Sequence, residues 1–468
     1  MKTYNKVGLK IIDELKVISG EKNVITDSEK LENYSHDELL DQRYMKTPEV
    51  VVLPETPEEI SKIVKMAVRE NIPVIPRGAG TALTSASIAC LGGIVVSLEK
   101  MNKILEIDAG NMFMVTEPGV RTGDVQEAAR EKGFLYAGDP CSGESSFIGG
   151  NVATNAGGNK AVKYGTTRKQ VYGVEIVTAK GEIVTLGGKC MKDSTGYSLV
   201  NLIIGSEGTL GIITKIYLKL MPLPKESLDL LIVFPDLAAA IGVVPKIMMA
   251  GISLTCIEFM DNEVVRNCEK FIRESLPHSD RGNYIIIKLE GASMDALEEE
   301  SLKIDEICSA NGAIETLVAD SGKIWKARKA FAEADRASSL VFSAEDIVVP
   351  LAKIPEAVKE ITMMAKRYGM TVHCAGHAGD GNIHAHILKE TMPDNEWNEK
   401  LHSLQDELYK LIYSLGGKLS GEHGIGYKRV ALMEKFANPV ELEMMKAIKK
   451  ALDPNLILNP GKIFVIDQ

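Results

Sequence analysis

The sequence predicts an α+β fold in more than one domain, and three observations carry that expectation. A β-α-β pattern opens at EVVVL (49–53) and closes at IPVIP (72–76). Short strands punctuated by glycine turns fill the region from about 90 to 220. Beyond residue 227, strands near 229–234, 253–259, 284–289 and 314–319 alternate with amphipathic helices, which suggests an α+β sheet covered by helices on one side. At 468 residues the chain exceeds one ordinary core, so two or three domains are expected.

Taken in order, residues 1–44 read as a helical preamble with apolar spacing at Val7, Ile11 and Leu15. EVVVL is a buried strand. Thr56, Pro57 and Glu59 form a capping-box start, and Ile60, Val64 and Ala67 line the inner face of the helix that follows. IPVIP is the next strand and runs straight into RGAGTALTSAS. VTEPGV and YGVEIVTAKGEIVTLGG supply further strands. MPLPKES (221–227) is a proline-bearing connection and the expected domain boundary. EDIVVP, a helix at 355–368, a histidine-rich strand and a long helix at about 395–415 complete the second part. There is no fixed-period repeat.

Composition removes several function classes. Hydrophobic content of 45% and charged content of 25% are those of a soluble globular protein. A net charge of −10 with no compensating basic block argues against nucleic acid as a partner. MKTYNKVGLKIIDELK lacks the apolar core of a secretory signal, and the longest apolar run (237–252) contains Pro245 and Lys246 and is too short to span a bilayer. Seven scattered cysteines include no C-x-x-C pair, which excludes the usual iron–sulfur and zinc-ribbon spacings. The expected setting is cytoplasmic, with reduced thiols.

Three glycine-rich stretches stand out: PRGAGT (76–81), FIGGNVATNAGGNKAVKYGT (147–166) and IGSEGTLGIIT (204–214). Glycines permit positive φ and bring backbone N–H groups close to an anion, as phosphate cradles require. Any one of these stretches alone reads equally as a set of tight turns. The dinucleotide fingerprint lacks its third glycine, and no P-loop motif occurs.

Five of the eight histidines, His373, His377, His384, His386 and His423, fall within HCAGHAGDGNIHAHIL (373–388) and GEHGIGYKR (421–429). Alternation along a strand puts His384 and His386 on one face. The GDG turn (379–381) can fold the chain so that His377 and His384 converge, and Glu422 can add a carboxylate. Two histidines and one carboxylate with open positions suit Fe²⁺, Zn²⁺ or Mn²⁺, and the sequence does not choose among them. The bland reading, hydrogen-bonded buried histidines beside a glycine turn, suits a lone histidine better than a cluster of five.

In this order the stretches PRGAGT, GDP…IGGNVATNAGG…YGTTRKQV and STGY…GSEGTLGIIT resemble the flavin domain of the vanillyl-alcohol oxidase superfamily. Within it, the chain resembles the FAD-linked D-2-hydroxy-acid dehydrogenases, the group of the glycolate oxidase D-subunit and D-lactate dehydrogenases, from about residue 45 to NPGKI (459–463). The resemblance implies a two-part FAD-binding domain (45–223), an α+β substrate or cap domain (224–454) and a tail (455–468) returning to the first. It implies FAD held by Arg77, Gly78, Ala79, Gly80 and Thr81, by Gly149, Gly150, Ala153, Thr154, Asn155, Gly157 and Gly158, and by Gly165, Glu207, Gly208, Ile212 and Asn459. Ala82-Leu83-Thr84-Ser85 departs from the glycines common there. No histidine lies in the first two loops, so the FAD is expected to be noncovalent.

The signature H-x-G-D-G-N-x-H followed by G-E-H-G carries over His377, His384 and Glu422 as metal ligands and His423 as the base. His386 stands where relatives often have asparagine and is the next candidate base; His373 is read as structural. SGKIWKARKAF (321–331) resembles the family's W-x-x-R segment and points to Arg328 as anchor for a substrate carboxylate, with Arg336 as the fallback. The activity implied is oxidation of a D-2-hydroxy acid, lactate first and glycolate or 2-hydroxyglutarate as alternatives, with hydride passing to flavin N5. Whole-chain similarity to lactate dehydrogenase subunits of anaerobic bacteria implies electron-transfer flavoprotein, or another redox partner, as acceptor. The rivals are a non-catalytic flavin subunit of an oxidase complex and a zinc hydrolase; the second leaves the glycine loops unexplained.

Overall fold

A computed structural model describes residues 2–39 and 41–466. The chain divides into two compact units: Met1–Gly157, Gly165–Leu223 and His423–Gln468 make the first, Gly158–Tyr164 and Pro224–Glu422 the second.

The first unit contains a sheet of β1 (Val24–Ile25), β2 (Val50–Val52), β3 (Val74–Arg77) and β4 (Ile94–Ser97) in the order β1-β2-β4-β3. β2 and β3 run parallel to β4, and parallel strands need a crossover. The helix Pro57–Glu70 supplies it. Its start follows the capping chemistry: the Thr56 hydroxyl accepts the Glu59 N–H at 3.3 Å, with proline in the first turn. Ile60, Ile63, Val64 and Ala67 bury that helix against Val50, Val52, Val74, Ile94 and Val96, joined by Ile11 and Leu15 of the helix Leu9–Ser19. A second, antiparallel sheet has the order β5-β6-β10-β8-β9, from β5 (Ile104–Asp108), β6 (Phe113–Thr116), β8 (Val171–Val177), β9 (Ile183–Gly187) and β10 (Ile212–Lys219). β7 (Phe134–Leu135) pairs with β11 (Met221–Pro222).

The C-terminal return to this unit begins at His423 rather than at the expected 455. Buried Glu207 accepts the N–H groups of Ile425 and Gly426, each at 2.7 Å, which ties the GEHG loop down well before the tail. Burial pushes Glu207 up from the usual carboxylate range, and those two N–H groups pull it back. Further along, Asn459 Nδ2 donates to the carbonyls of Ala86 (2.8 Å) and Glu207 (2.7 Å).

The second unit is built on one seven-stranded sheet of β12 (Glu226–Phe234), β13 (Leu254–Met260), β14 (Asn283–Gly291), β15 (Glu315–Val318), β16 (Phe342–Val348), β17 (Thr371–His377) and β18 (Asn382–Leu388). The order is β15-β12-β14-β13-β17-β18-β16, with every pair antiparallel. The sheet is covered on both faces, not on one as expected. Leu231, Val233, Met260, Tyr284, Ile286 and Ala375 pack against the helices Asn262–Ile272, Ser321–Lys329 and Phe331–Ser338. On the other face Leu230, Ile232, Phe259, Ile285, Ile287, Ile383 and Ile387 are equally buried. The physical signal is the unbroken apolar run in LDLLIVF and NYIII, because a half-exposed strand would alternate with polar residues.

Candidate active site

The histidines are placed by a hairpin. β17 and β18 are joined across the GDG turn, where Gly381 has φ +92° and a Cβ would collide with the Val349 carbonyl. The register pairs His373 with His386, Ala375 with His384 and His377 with Asn382. β13 puts Glu258 opposite His377, and β16 puts Asp346 opposite His384. Directly paired residues share a face. Glu258, His377, His384 and Asp346 therefore stand together on the sheet, with His373 and His386 beside them.

His377 and His384 are diagonal neighbours, their ring centroids 5.1 Å apart and the rings nearly perpendicular at 86°. Both present Nε2 to Glu422 Oε1, at 3.4 Å from His377 and 3.3 Å from His384. One ligand atom from each of these three residues lies within 4.8 Å of the other two. Behind each ring stands a carboxylate: Glu258 Oε1 is 2.8 Å from His377 Nδ1, and Asp346 Oδ1 is 3.8 Å from His384 Nδ1. At His377 this is the arrangement that fixes a ligating imidazole, since an acceptor at Nδ1 sets the tautomer that leaves the Nε2 lone pair to a metal.

Burial works against charge on His377, yet Glu258 and Glu422 outweigh it and hold the ring well above the usual imidazole range. Burial raises Glu422, and His377 and His384 more than reverse that, leaving it well below the carboxylate range. Two imidazoles and a carboxylate with their ligand atoms within 4.8 Å of one another have the donor chemistry for a divalent ion, which would take the place of a proton. The residues fit the group.

Two carboxylates that the sequence reading passed over organise the set. Fully buried Asp346 turns Oδ2 to the Ser420 hydroxyl (2.7 Å) and the N–H groups of Gly421 (3.1 Å) and Glu422 (3.0 Å), and accepts Asn382 Nδ2 on Oδ1 at 2.8 Å. It thereby holds the loop that carries Glu422. Glu258, also fully buried, divides its oxygens between His377 and Arg328, whose Nη2 lies 2.8 Å from Oε2. Their signal in the sequence is acid within a buried strand, one in LTCIEFM and two adjacent in FSAEDIV, since buried charges are nearly always paired.

The other expected residues fall as follows. His386 lies between the rings of Phe331 (4.1 Å between centroids) and Phe342 (4.6 Å), with Nδ1 2.7 Å from Asp335 Oδ2. The other oxygen of Asp335 faces His373 Nδ1 at 2.6 Å, so one acid from the helix Phe331–Ser338 secures both rings. Asp335 is a third residue that the sequence reading passed over. Arg336 Nη1 pairs with Glu333 at 2.8 Å. His423 follows Glu422 directly in the chain and opens the return to the first unit; its carbonyl accepts the Thr84 hydroxyl at 3.4 Å.

In the first unit, two of the expected flavin loops meet. A Cβ on Gly78 would lie 3.7 Å from the backbone of Gly150, so the 77–81 turn and the start of the helix Ile148–Thr154 approach main chain to main chain. Among the described residues, the N–H groups of Gly78, Ala79, Gly80 and Thr81 donate to no backbone acceptor. A cradle of this kind suits an anionic pyrophosphate. Asn155 shapes the second loop through Oδ1, which accepts the Thr166 hydroxyl (2.9 Å) and the Arg168 N–H (3.0 Å). The Arg77 side chain is turned inward and donates to the His36 carbonyl at 2.8 Å. Ile212 is buried in the core cluster beside Val177, and the N–H of Glu207 bonds the Ala153 carbonyl. Gly157 and Gly158, expected in one loop, fall in different units.

Residues 223–463 match the model for the C-terminal domain of FAD linked oxidases, and residues 48–187 match an FAD binding domain. The chain is 39% identical to a D-lactate dehydrogenase of Anaerostipes hadrus, over 98% of both proteins. It is 35% identical to glycolate oxidase subunit GlcD of Bacillus subtilis, over 97% of each. It is 33% identical to a D-2-hydroxyglutarate dehydrogenase of Stutzerimonas stutzeri, over 97% of this chain and 98% of that one. Among solved structures, p-cresol methylhydroxylase shares the fold with a TM-score of 0.80 at 18% identity, covering 98% of both chains. Alkyldihydroxyacetonephosphate synthase does so with a TM-score of 0.76 at 22% identity, over 98% of this chain and 86% of that one. No described helix is long and apolar enough to cross a membrane. With an FAD-binding domain, a fold of the vanillyl-alcohol oxidase type and hydroxy-acid dehydrogenases matching along nearly its whole length, the chain belongs to the FAD-linked D-2-hydroxy-acid dehydrogenases.

Proposed function

We propose that the protein oxidises D-lactate to the 2-oxo acid, with noncovalent FAD in the first unit and a divalent metal on His377, His384 and Glu422. The observation that carries this reading is the convergence of two Nε2 atoms on Glu422 Oε1, each ring backed by a buried carboxylate. When bound, FAD supplies a two-electron acceptor and the metal supplies Lewis acidity toward the substrate oxygens. The chain supplies the rest. His377, His384 and Glu422 leave open positions for the hydroxyl and carboxylate of a 2-hydroxy acid. His423 takes the hydroxyl proton on its imidazole as the α-hydrogen departs with its electron pair. The backbone N–H groups of residues 78–81 and the Gly78–Gly150 approach hold the cofactor's pyrophosphate.

Lactate is the first choice because the 39% identical relative carries that name; glycolate and 2-hydroxyglutarate follow from the names of two other relatives. Electrons pass to electron-transfer flavoprotein or another redox partner in the cytoplasm. The test is flavin reduction by each enantiomer of lactate, by glycolate and by 2-hydroxyglutarate. D-lactate is expected to bleach the flavin fastest. A flavin that no 2-hydroxy acid reduces would favour the non-catalytic subunit.

A further inference from the structure

The W-x-x-R resemblance implies a substrate anchor at Arg328, and its geometry also ties it to the metal set. Arg328 is buried on the inner side of the helix Ser321–Lys329, beside Ile324 and Ala327 of the same core. Its Nε and Nη2 both lie on Glu258 Oε2, at 3.0 and 2.8 Å. The second oxygen of Glu258 meets His377 Nδ1 at 2.8 Å, and β13 places Glu258 directly opposite His377. We propose that Arg328 is a positioning residue for the metal set, acting through Glu258 on His377. The inference rests on the proposed reading of His377, His384 and Glu422 as metal ligands.

The physical argument is one of coupled orientation. A carboxylate is planar, so Oε2 held by the Nε–H of a rigid guanidinium, with Nη2 in ion-pair contact, fixes where Oε1 points. Oε1 accepts from the Nδ1 side of His377 and so sets both the ring plane and the tautomer that leaves Nε2 as a lone pair facing Glu422. Arginine suits this position better than lysine, because the planar fork and not the charge alone defines the direction. With Arg328 removed, Glu258 keeps its place in the strand but loses the partner that sets its rotation, and the fault passes to His377.

The test is a titration of metal-free, FAD-loaded protein with Zn²⁺ for wild type, Glu258→Gln, Arg328→Met, Arg328→Lys, the Glu258→Gln/Arg328→Met double variant and His384→Ala. Glu258→Gln and Arg328→Met should each weaken Zn²⁺ binding by ~10–100-fold, the usual range for partners behind a metal ligand. The double variant should bind no worse than the weaker single one, because both changes break the same chain of contacts. Arg328→Lys keeps the charge without the fork; it should also bind Zn²⁺ more weakly than wild type, and it serves if Arg328→Met does not fold. Wild-type Zn²⁺ affinity in either folded Arg328 variant, with only the KM for hydroxy acid raised, would overturn the proposal and leave Arg328 as an anchor alone. Additive losses in the double variant would overturn it too. His384→Ala separates the two readings: wild-type Zn²⁺ affinity there would instead overturn the metal set itself.

Discussion

Asp346 should matter to the metal set as much as a ligand does, and Asp346→Asn tests this with no change of shape. In the wild type one oxygen faces three donors of the 420–422 loop, and the other faces Asn382 Nδ2 and His384 Nδ1. An asparagine has one oxygen. If it points at the loop, its NH₂ meets the NH₂ of Asn382; if it points at Asn382, its NH₂ meets three loop donors. Hydrogen bonds to a charged group contribute about 1.5–3 kcal/mol each, so losing one or two of them costs roughly 2–5 kcal/mol of local stability. Only part of that reaches Glu422, and the expected loss of metal affinity is ~10–100-fold. The assay is competition for the metal against a chelating dye, run beside thermal unfolding. Weaker binding and a lower midpoint are expected together. Wild-type metal affinity in the variant would refute the idea that Asp346 holds the Glu422 loop for the ion.

Other outcomes follow from the same geometry. Acid precipitation should release all flavin to the supernatant, because no histidine stands in either of the first two glycine loops; colour kept in the pellet would show a covalent link. Chelation should abolish turnover and leave the visible flavin spectrum in place, since the three ligands belong to one unit and Gly78–Thr81 to the other; loss of flavin on chelation would contradict that division. Asp37 should make stability fall as pH rises. Burial pushes its pKa from 3.8 up to about 6, so the folded state holds that proton more tightly than the unfolded chain. Its contribution is fully present below 3.8 and is lost as pH rises through about 6. Between about pH 7.5 and about pH 5 the wild type should gain roughly 1.4 kcal/mol from this group, and Asp37→Asn should lack that part of the slope in denaturant unfolding. An unchanged slope would refute the assignment.

How much of this could be read in the sequence depends on how local each signal is. The Thr56 cap, the GDG turn and the alternation of His384 with His386 are set within a few residues, and the β17–β18 hairpin turns them into a register that makes His377 a diagonal neighbour of His384. Glu258 was not legible as a partner of His377, because 119 residues separate them and only the antiparallel pairing of β13 with β17 brings them together. Arg328 stands out in the sequence only through the W-x-x-R resemblance, and the guanidinium's partner depends on how the helix Ser321–Lys329 packs on the sheet. That His386 shares a strand face with His384 follows from alternation alone. Asp335, which faces His386, comes from a separate helix. The early return of the chain at His423 likewise hangs on Glu207, 218 residues from Ile425.

The central claim is a division of labour in which His377, His384 and Glu422 hold the metal and His423 moves the proton. Metal analysis of His423→Ala beside stopped-flow reduction of its flavin by D-lactate tests this most directly. Metal content should match wild type, dithionite should reduce the flavin normally, and reduction by D-lactate should slow by ~10²–10⁴-fold, the usual cost of losing a general base. Loss of the metal in His423→Ala, or reduction by D-lactate at the wild-type rate, would contradict the account.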